Sequence, residues 1–526
     1  MTKYVVVTGG VISSLGKGII TASTALLLKE KGYSVDVMKI DPYINVDAGT
    51  MRPTEHGEVY VTYDGGETDQ DLGNYERFLN QKISRINNIT TGQIYQSVIN
   101  KERNLEFDGK CVQVMHHIPQ EIENRVKKSK ADIVLIEVGG TVGDYENIPY
   151  LETLRRMKLK GEDVCFVHVT YLPIPKTAGE MKSKPTQHSV KALAAQGIQA
   201  DLLICRAEQS IDNVRRDKIG LFCNLKHDRV ISCPDLDSIY DVPFVLKDRG
   251  VHSKISSILG LNNKEPLLKE WKKYSERKTK DLVRIGILGK YFQTGDYQLE
   301  DSYHSVVEAV KHASNHENVK AGIEWLNSDD YERVKQMDAV IVPGGFGSSG
   351  VSGKIKAITL ARENKIPYLG LCYGLQLAVI EHARNKLGLK DADTTEIKNT
   401  KNPVVSTMPE QVKLLQEKQY GGSMRLGEQV AVLKKNTLVS KLYGSEEAVE
   451  RHRHRYEVNP DYKESLEKED LVISGVHPKL GLVEFIERSD HPFFVATQAH
   501  PEFTSTPLKP NPLFLGLLRA AKKRIS

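Results

Sequence analysis

The stretch KIPYLGLCYGLQ, residues 365–376, joins an apolar strand-like run to a helical one through Gly370, Cys372 and Gly374. A cysteine flanked in this way, G-x-C-x-G between strand and helix, is the cysteine form of a nucleophile elbow on an α/β sheet, and the flanking glycines suit its sharp turn. The elbow sets the thiol at a helix N-terminus, where the dipole and nearby N–H groups favour the thiolate. Outward from it, VRIGILGKY (283–291), DAVIVPGGFG (338–347) and FFVATQAHPE (493–502) read as further strands, each ending in a glycine turn or polar residues. Open α/β sheets bind their ligands at strand C-termini, so these ends are expected to meet at one site. QAHPE supplies His500 as general base and Glu502 as its orienting group, in the order nucleophile, base, orienter. The Tyr373 N–H and a glycine N–H of the PGGFG turn, Gly345, are the expected oxyanion donors.

The first half shows the same alternation. YVVVTGG, SVDVMKID, DIVLIEVGG, DVCFVHVTYL and ADLLICR are short β-branched runs separated by helical stretches such as TASTALLLKEKG, the pattern of a mostly parallel sheet. TGGVISSLGKG (8–18) lies between strand and helix, where N–H groups and a helix N-terminus favour phosphate oxygens and Lys17 adds a fixed charge. It departs from a standard P-loop: Val11 stands where the first glycine belongs, and Gly18 where the magnesium-binding Ser/Thr should be. Mg²⁺ ligands must therefore come from elsewhere, and carboxylates are the usual choice. Asp71 in ETDQDLG and Glu137 at the end of DIVLIEVGG are candidates, a plain surface acid being the competing reading of each.

At 526 residues the chain exceeds one ordinary core. Around NNKEPLLKEWKKYSERKTKDL the pattern turns polar, which places a helical linker at 263–283 between domains 1–262 and 284–526. Forty per cent hydrophobic and 27% charged residues, without an apolar run near the roughly 18 residues of a membrane span, point to a globular enzyme that needs no membrane. The opening MTKYVVVTGG lacks the regions of a signal peptide, so the cytoplasm is the expected compartment. The net charge of +5 is small and not gathered into a stripe, which favours anionic small molecules over nucleic acid. The six cysteines form no CxxC pairs; Cys165 and Cys205 sit in apolar runs and read as inert core thiols.

Several long motifs taken together (GGVISSLGKGI, KIDPYINVDAGTMRPTEHGEV, GGETDQDLGNYERF, EVGGTVGDYE, KPTQHSV and DSIY) resemble the synthetase domain of the CTP synthase family, in the family's order over most of residues 1–260. The Cys372, His500 and Glu502 set resembles the class I glutamine amidotransferases, and GGSMRLG and RHRHRYEVN again resemble CTP synthases. The resemblance implies an α/β fold of two doubly wound domains: a P-loop-like, dethiobiotin-synthetase-like synthetase domain and an amidotransferase domain. It implies that ATP phosphorylates O4 of UTP and that ammonia from glutamine displaces the phosphate, giving CTP for pyrimidine nucleotide biosynthesis.

By motif, Ser14, Leu15, Gly16, Lys17, Gly18, Ile19, Lys39, Asp71 and Arg206 would hold ATP, with Asp71 and Glu137 on magnesium. Ser13, Asp144, Tyr145, Glu146, Lys182, Ser183, Lys184, Pro185, Thr186, Gln187 and Lys218 would hold UTP, or CTP overlapping its triphosphate site. Gly345, Gln376, Glu396 and Arg455 would bind glutamine, Arg455 pairing with its α-carboxylate. His56 in PTEHGEV is assigned to the ammonia route or the reaction site. The resemblance further implies GTP as activator, CTP as feedback inhibitor and a homotetramer, and an ammonia-making and an ammonia-using site in one chain imply an internal ammonia passage. Two departures stand out: Ser183 where threonine is usual, and Tyr373 where leucine is common. A cobyrinate-type amide synthase and a nucleotide-switched ATPase with a scaffold-only glutaminase domain are competing readings. KPTQHSV and DPYINVD speak against the first, the intact Cys372, His500 and Glu502 set against the second.

Overall fold

A computed structural model of the chain describes residues 2–177, 179–277, 281–289, 293–294, 297–298, 300–407 and 424–525. The first three residues of GGSMRLG, 421–423, lie outside them. The chain forms two compact units, one of residues 1–47 and 74–275, the other of residues 48–73 and 276–526. Among the described residues no helix is long and apolar enough to cross a membrane.

The first unit is built on a seven-stranded parallel sheet. Its strands are β1 (Lys3–Gly9), β2 (Val35–Asp41), β3 (Asn88–Thr90), β4 (Ile133–Val138), β5 (Val164–Tyr171), β6 (Leu202–Ala207) and β7 (Val230–Pro234), in the order β3-β2-β4-β1-β5-β6-β7. All five runs read from sequence are strands, and β1, β4 and β5 are buried along nearly their whole length. A sheet covered on both faces by helices demands this near-continuous apolar run. β1 lies between β4 and β5, so the loops after these three strands open on one crevice. Helix α1 (Lys17–Glu30) follows β1 and α2 (Lys184–Ala195) follows β5. Trp271, from the polar stretch after residue 262, is buried here; its indole N–H donates to the Tyr240 carbonyl at 2.8 Å. Cys165 and Cys205 are fully buried, and burial raises both thiols, Cys205 to about 12.

The second unit carries a nine-stranded sheet of β8 (Asp281–Ile287), β9 (Val319–Trp325), β10 (Ala339–Val342), β11 (Tyr368–Leu371), β12 (Arg425–Leu433), β13 (Glu447–His454), β14 (Leu471–Val476), β15 (Val483–Arg488) and β16 (Phe494–Thr497). The order is β9-β8-β10-β11-β16-β15-β14-β12-β13. The four runs quoted from sequence are β8, β10, β11 and β16, four neighbouring parallel strands. Beyond β16 the sheet continues antiparallel through β15, β14, β12 and β13. The last pairs of β10–β11 and β11–β16, Val342 with Gly370 and Leu371 with Thr497, end the three strands level. Helix α3 (Tyr373–Asn385) leaves directly from the end of β11.

Residues 48–73 pack as part of this second unit. A short hairpin pairs Tyr60–Val61 with Glu67–Thr68, and Glu58 receives the Ser305 N–H at 3.0 Å. Glu67 accepts from the Arg453 Nε at 2.8 Å. Gly65 and Gly427 both have positive φ, and a Cβ on Gly427 would lie 2.7 Å from the Gly65 nitrogen, so this close approach excludes a side chain.

Candidate active sites

At the level ends of β10, β11 and β16 the chain places the PGGFG turn, Cys372 and His500 side by side, as their strand order requires. Cys372 itself takes the strained backbone, with φ 51° and ψ −98°. Left-handed backbone at a non-glycine residue is uncommon and clusters at functional sites. The flanking glycines serve a different need from the expected turn geometry. Neither lies in the left-handed region; instead a Cβ on Gly374 would sit 2.2 Å from the Val342 carbonyl oxygen, and one on Gly370 2.8 Å from the Gly374 carbonyl carbon. Gly374 is glycine because the elbow helix is pressed against β10, and Gly370 because the same helix and Ala496 of β16 close on it. The Cys372 N–H donates to the Thr497 carbonyl at 2.7 Å, tying the elbow to β16. Its sulfur lies 3.8 Å from the Arg453 carbonyl oxygen and 3.7 Å from Gln498 Nε2.

His500 is buried, its Nδ1 2.7 Å from Glu502 Oε1, and its ring is stacked on Phe503 at 5.3 Å. Burial lowers the tendency of this imidazole to hold a proton, but Glu502 and Cys372 together outweigh it and lift it to about 10. The ring is therefore poised as an imidazolium beside the sulfur. A Cβ on Gly344 would come 2.7 Å from His500 Cε1, which explains the first glycine of PGGFG. Gly345 has only Tyr373 Cδ1 near, at 3.7 Å from such a Cβ. Gln376 is buried on α3; its Nε2 donates to the Tyr456 carbonyl at 3.0 Å, while its Oε1 has no partner among the described residues. Glu396 Oε1 accepts the Gly347 N–H at 2.7 Å. Arg455 is half-buried between β13 and the Tyr456–Val458 strand.

In the first unit, α1 starts from Gly16, whose φ of 80° only glycine adopts freely; a Cβ there would meet Arg206 Nη1 at 3.0 Å, so Arg206 lies over the loop. Val11 (φ 86°) and Ser14 (φ 55°) are also left-handed. For a β-branched residue this costs of order 1–3 kcal/mol, so Val11 keeps the backbone shape that a P-loop glycine would give, under strain. Lys17 is buried and its Nζ donates to the Gly140 carbonyl at 2.6 Å. Gly9 has no side chain because the Lys17 stem crosses it, 2.6 Å from where its Cβ would be. Lys39 Nζ lies 3.1 Å from Glu137 Oε1, and the Tyr75 hydroxyl donates to Glu137 Oε2.

Two family models divide the chain: CTP synthase N-terminus over residues 3–261 and glutamine amidotransferase class-I over residues 298–520. The CTP synthase of Prochlorococcus marinus (strain NATL1A) is 50% identical over 100% of this chain and 96% of its own. Those of Methanocaldococcus jannaschii and Methanococcus maripaludis are 51% and 49% identical, each over 99% of this chain and 98% and 99% of their own. The chain belongs to the CTP synthase family.

The remaining residues assigned to UTP belong to the first unit. Ser13, Asp144, Tyr145, Glu146, Lys184 and Lys218 are exposed, whereas Thr186 and Gln187 are buried. Asp144 Oδ2 accepts the Thr141 N–H at 2.9 Å, Thr186 bonds the Tyr171 carbonyl at 3.3 Å and Gln187 the Ser183 hydroxyl at 3.1 Å. Lys182 pairs with Glu180. Beneath them His168 is fully buried between the Thr8 hydroxyl at 2.8 Å and the Ser189 hydroxyl at 2.7 Å; burial, with Lys17 nearby, lowers it to about 3. A neutral imidazole here braces β1 against α2, a role that the lone histidine of DVCFVHVTYL does not announce.

The CTP synthase reading implies magnesium, and the donors present are compatible with it. Glu137 offers hard carboxylate oxygens beside the Lys17 loop and already faces a cation, the Lys39 ammonium. No group of three or more His, Cys, Asp or Glu side chains among the described residues could cage a metal, as expected for an ion held by one or two carboxylates and phosphates. Asp71 opens the helix Asp71–Leu79, its N–H bonded to Asp69 Oδ1 at 2.8 Å. His56 stands 3.7 Å from Asp69 Oδ2.

Sequence reasoning missed the support behind His500. Arg451, only 1% exposed, accepts the His500 N–H on its carbonyl at 2.7 Å and donates to the Tyr60 hydroxyl at 2.7 Å. Tyr60 in turn donates to the Phe503 carbonyl at 3.0 Å. It also missed the buried charge cluster in which Arg425 bridges Glu457 at 3.0 Å and Glu484 at 2.6 Å, with His452 and His454 3.0 Å apart beside it. Burial pushes Glu457 up to about 8 and holds both histidines neutral. The signal for it was the alternation in RHRHRYE, whose polar side chains run along one strand at a density rare on a buried sheet.

Proposed function

We propose that Cys372, His500 and Glu502 release ammonia from glutamine for the ATP-dependent amination of UTP to CTP, the reaction of the family. The observation that carries this reading is the His500 imidazole held by Glu502 at 2.7 Å, at the level strand ends where Cys372 also stands. The Cys372 sulfur attacks the side-chain carboxamide carbon, and the oxyanion is met by the Gly345 and Tyr373 N–H groups. His500 hands its proton to the departing ammonia, leaving a thioester. It then takes a proton from the water that cleaves the thioester to glutamate. Gln376, Glu396 and Arg455 hold the substrate glutamine, Arg455 by its α-carboxylate.

The residues from Ser14 to Ile19, with Lys39, Asp71 and Arg206, hold ATP. Ser13, Asp144 to Glu146, Lys182 to Gln187 and Lys218 hold UTP. Lys17 neutralises the transferring phosphoryl group, whose passage to O4 of UTP needs alignment and charge compensation more than covalent help. Ammonia then displaces phosphate at C4. Asp71 and Glu137 would hold Mg²⁺, which when bound neutralises phosphate charge. Residues 1–262 act as the synthetase domain, 263–283 as linker and 284–526 as the amidotransferase domain. Activation by GTP, feedback by CTP and a homotetramer follow from the resemblance; a cytoplasmic location and an ammonia passage, with His56 on that route or at the reaction site, belong to the same proposal.

The test is CTP formation from UTP, ATP and Mg²⁺ with glutamine or ammonium chloride. Cys372→Ala is expected to abolish glutamine-driven synthesis and keep ammonia-driven synthesis, because only the acyl-enzyme step needs the thiol. Equal loss with both nitrogen sources would overturn the two-site scheme.

A further inference from the structure

The loop after β10, PGGFGSSG at 343–350, contains four glycines in eight residues, and Gly347 and Gly350 have positive φ. Such a segment holds one conformation only if something outside it does the holding, because each ordered glycine gives up much backbone freedom. The loop matters because Gly344 lies against His500 and Gly345 is the proposed oxyanion donor.

Two bonds grip it at Gly347. The Gly347 N–H donates to Glu396 Oε1 at 2.7 Å. The Gly347 carbonyl accepts the Tyr373 hydroxyl at 2.8 Å. Tyr373 is the first residue of α3, next to the nucleophile, and is 2% exposed. Lys354, from the helix that follows the loop, lies 5.8 Å over its ring. One residue therefore carries a proposed oxyanion donor on its backbone and, through its phenol, fixes the loop that carries the other.

We propose that the Tyr373 side chain is a positioning residue, a latch that sets the oxyanion hole against Cys372 before glutamine arrives. Preorganised donors act in the transition state without reorganisation, so the latch contributes to kcat rather than to substrate binding. A leucine at this place, the residue the resemblance leads one to expect, fills the volume but has no donor. The proposal rests on the oxyanion assignment given above.

The experiment compares Tyr373→Phe and Tyr373→Leu with the parent chain in glutamine hydrolysis and in alkylation of Cys372 by iodoacetamide. Alkylation needs the thiolate but no oxyanion hole. One neutral hydrogen bond corresponds to a loss of about five-fold. Tyr373→Phe is expected to lower kcat by about that factor or more, with the glutamine KM changed less than about two-fold and the alkylation rate unchanged. Tyr373→Leu is expected to lose at least as much. An unchanged kcat in Tyr373→Phe, or alkylation slowed in parallel with hydrolysis at unchanged thermal stability, would overturn the latch. Thermal unfolding of each variant separates misfolding, which lowers both rates together, from the expected split. Hydrolysis surviving in Cys372→Ala would overturn the site assignment and the latch with it. Loss there beside an unaffected Tyr373→Phe would overturn the latch alone.

Discussion

Gly344→Ala isolates the geometry of His500, the proposed catalytic histidine. Gly344 does not lie in the left-handed region, so alanine suits its backbone. The added methyl would stand 2.7 Å from His500 Cε1, where ordinary contact begins at 3.4 Å. The ring must therefore retreat by about 0.7 Å, and displacements near 1 Å cost up to about a hundred-fold in rate. It cannot turn freely, because Glu502 holds Nδ1 at 2.7 Å and Phe503 backs its face at 5.3 Å. A fall of ten- to a hundred-fold in glutamine hydrolysis is expected, about 1.4–2.7 kcal/mol on the barrier. The assay is ammonia release from glutamine, with ammonia-driven CTP formation as the measure of the other site. Hydrolysis within two-fold of the parent would refute the claim that Gly344 is glycine for the sake of His500.

Lys17→Ala should remove CTP formation with glutamine and with ammonia alike, since the lost charge serves phosphoryl transfer and not glutamine hydrolysis; survival of either activity contradicts its role. In the parent chain the His500 imidazolium, lifted to about 10, keeps its proton through neutral pH. Its contribution to stability is fully present below the unfolded value near 6.5 and is lost as pH rises through about 10. Glu502→Gln removes one of the two charges that lift it, so the alkaline limb of glutamine hydrolysis should move to lower pH. A pH–rate profile with an unmoved alkaline limb would show that Glu502 does not control this proton.

The strands and turns that carry chemistry were readable because each strand was a continuous apolar run that stopped at a glycine or a charged residue. That pattern marks parallel strands buried on both faces, and it located Cys372, His500, Lys17 and Glu137 at their ends. The antiparallel strands β12 to β15 were not readable, because they mix polar and apolar residues without a sharp period, even where, as in β15, every position is buried. β12, by contrast, is buried at only three of its nine positions. Glycine was legible as a residue and not as a reason: Gly374 answers to the crowding of α3 against β10, Gly370 to the approach of α3 and Ala496, and the left-handed turn falls on Cys372. The Tyr60–Arg451 bond joins residues 391 positions apart, a pairing that no local pattern announces.

The placement of residues 48–73 bears on how such an enzyme can be inherited or rebuilt. A glutamine-hydrolysing half that was only appended could be exchanged between enzymes as a cassette cut near residue 276. Here that cut would leave Arg451 without the Tyr60 hydroxyl and Arg453 without Glu67. The segment lies in sequence between the two stretches of the first unit, so recombination near residue 276 transplants the proposed catalytic histidine without part of its backing. Graft experiments should therefore carry residues 48–73 along with the second unit.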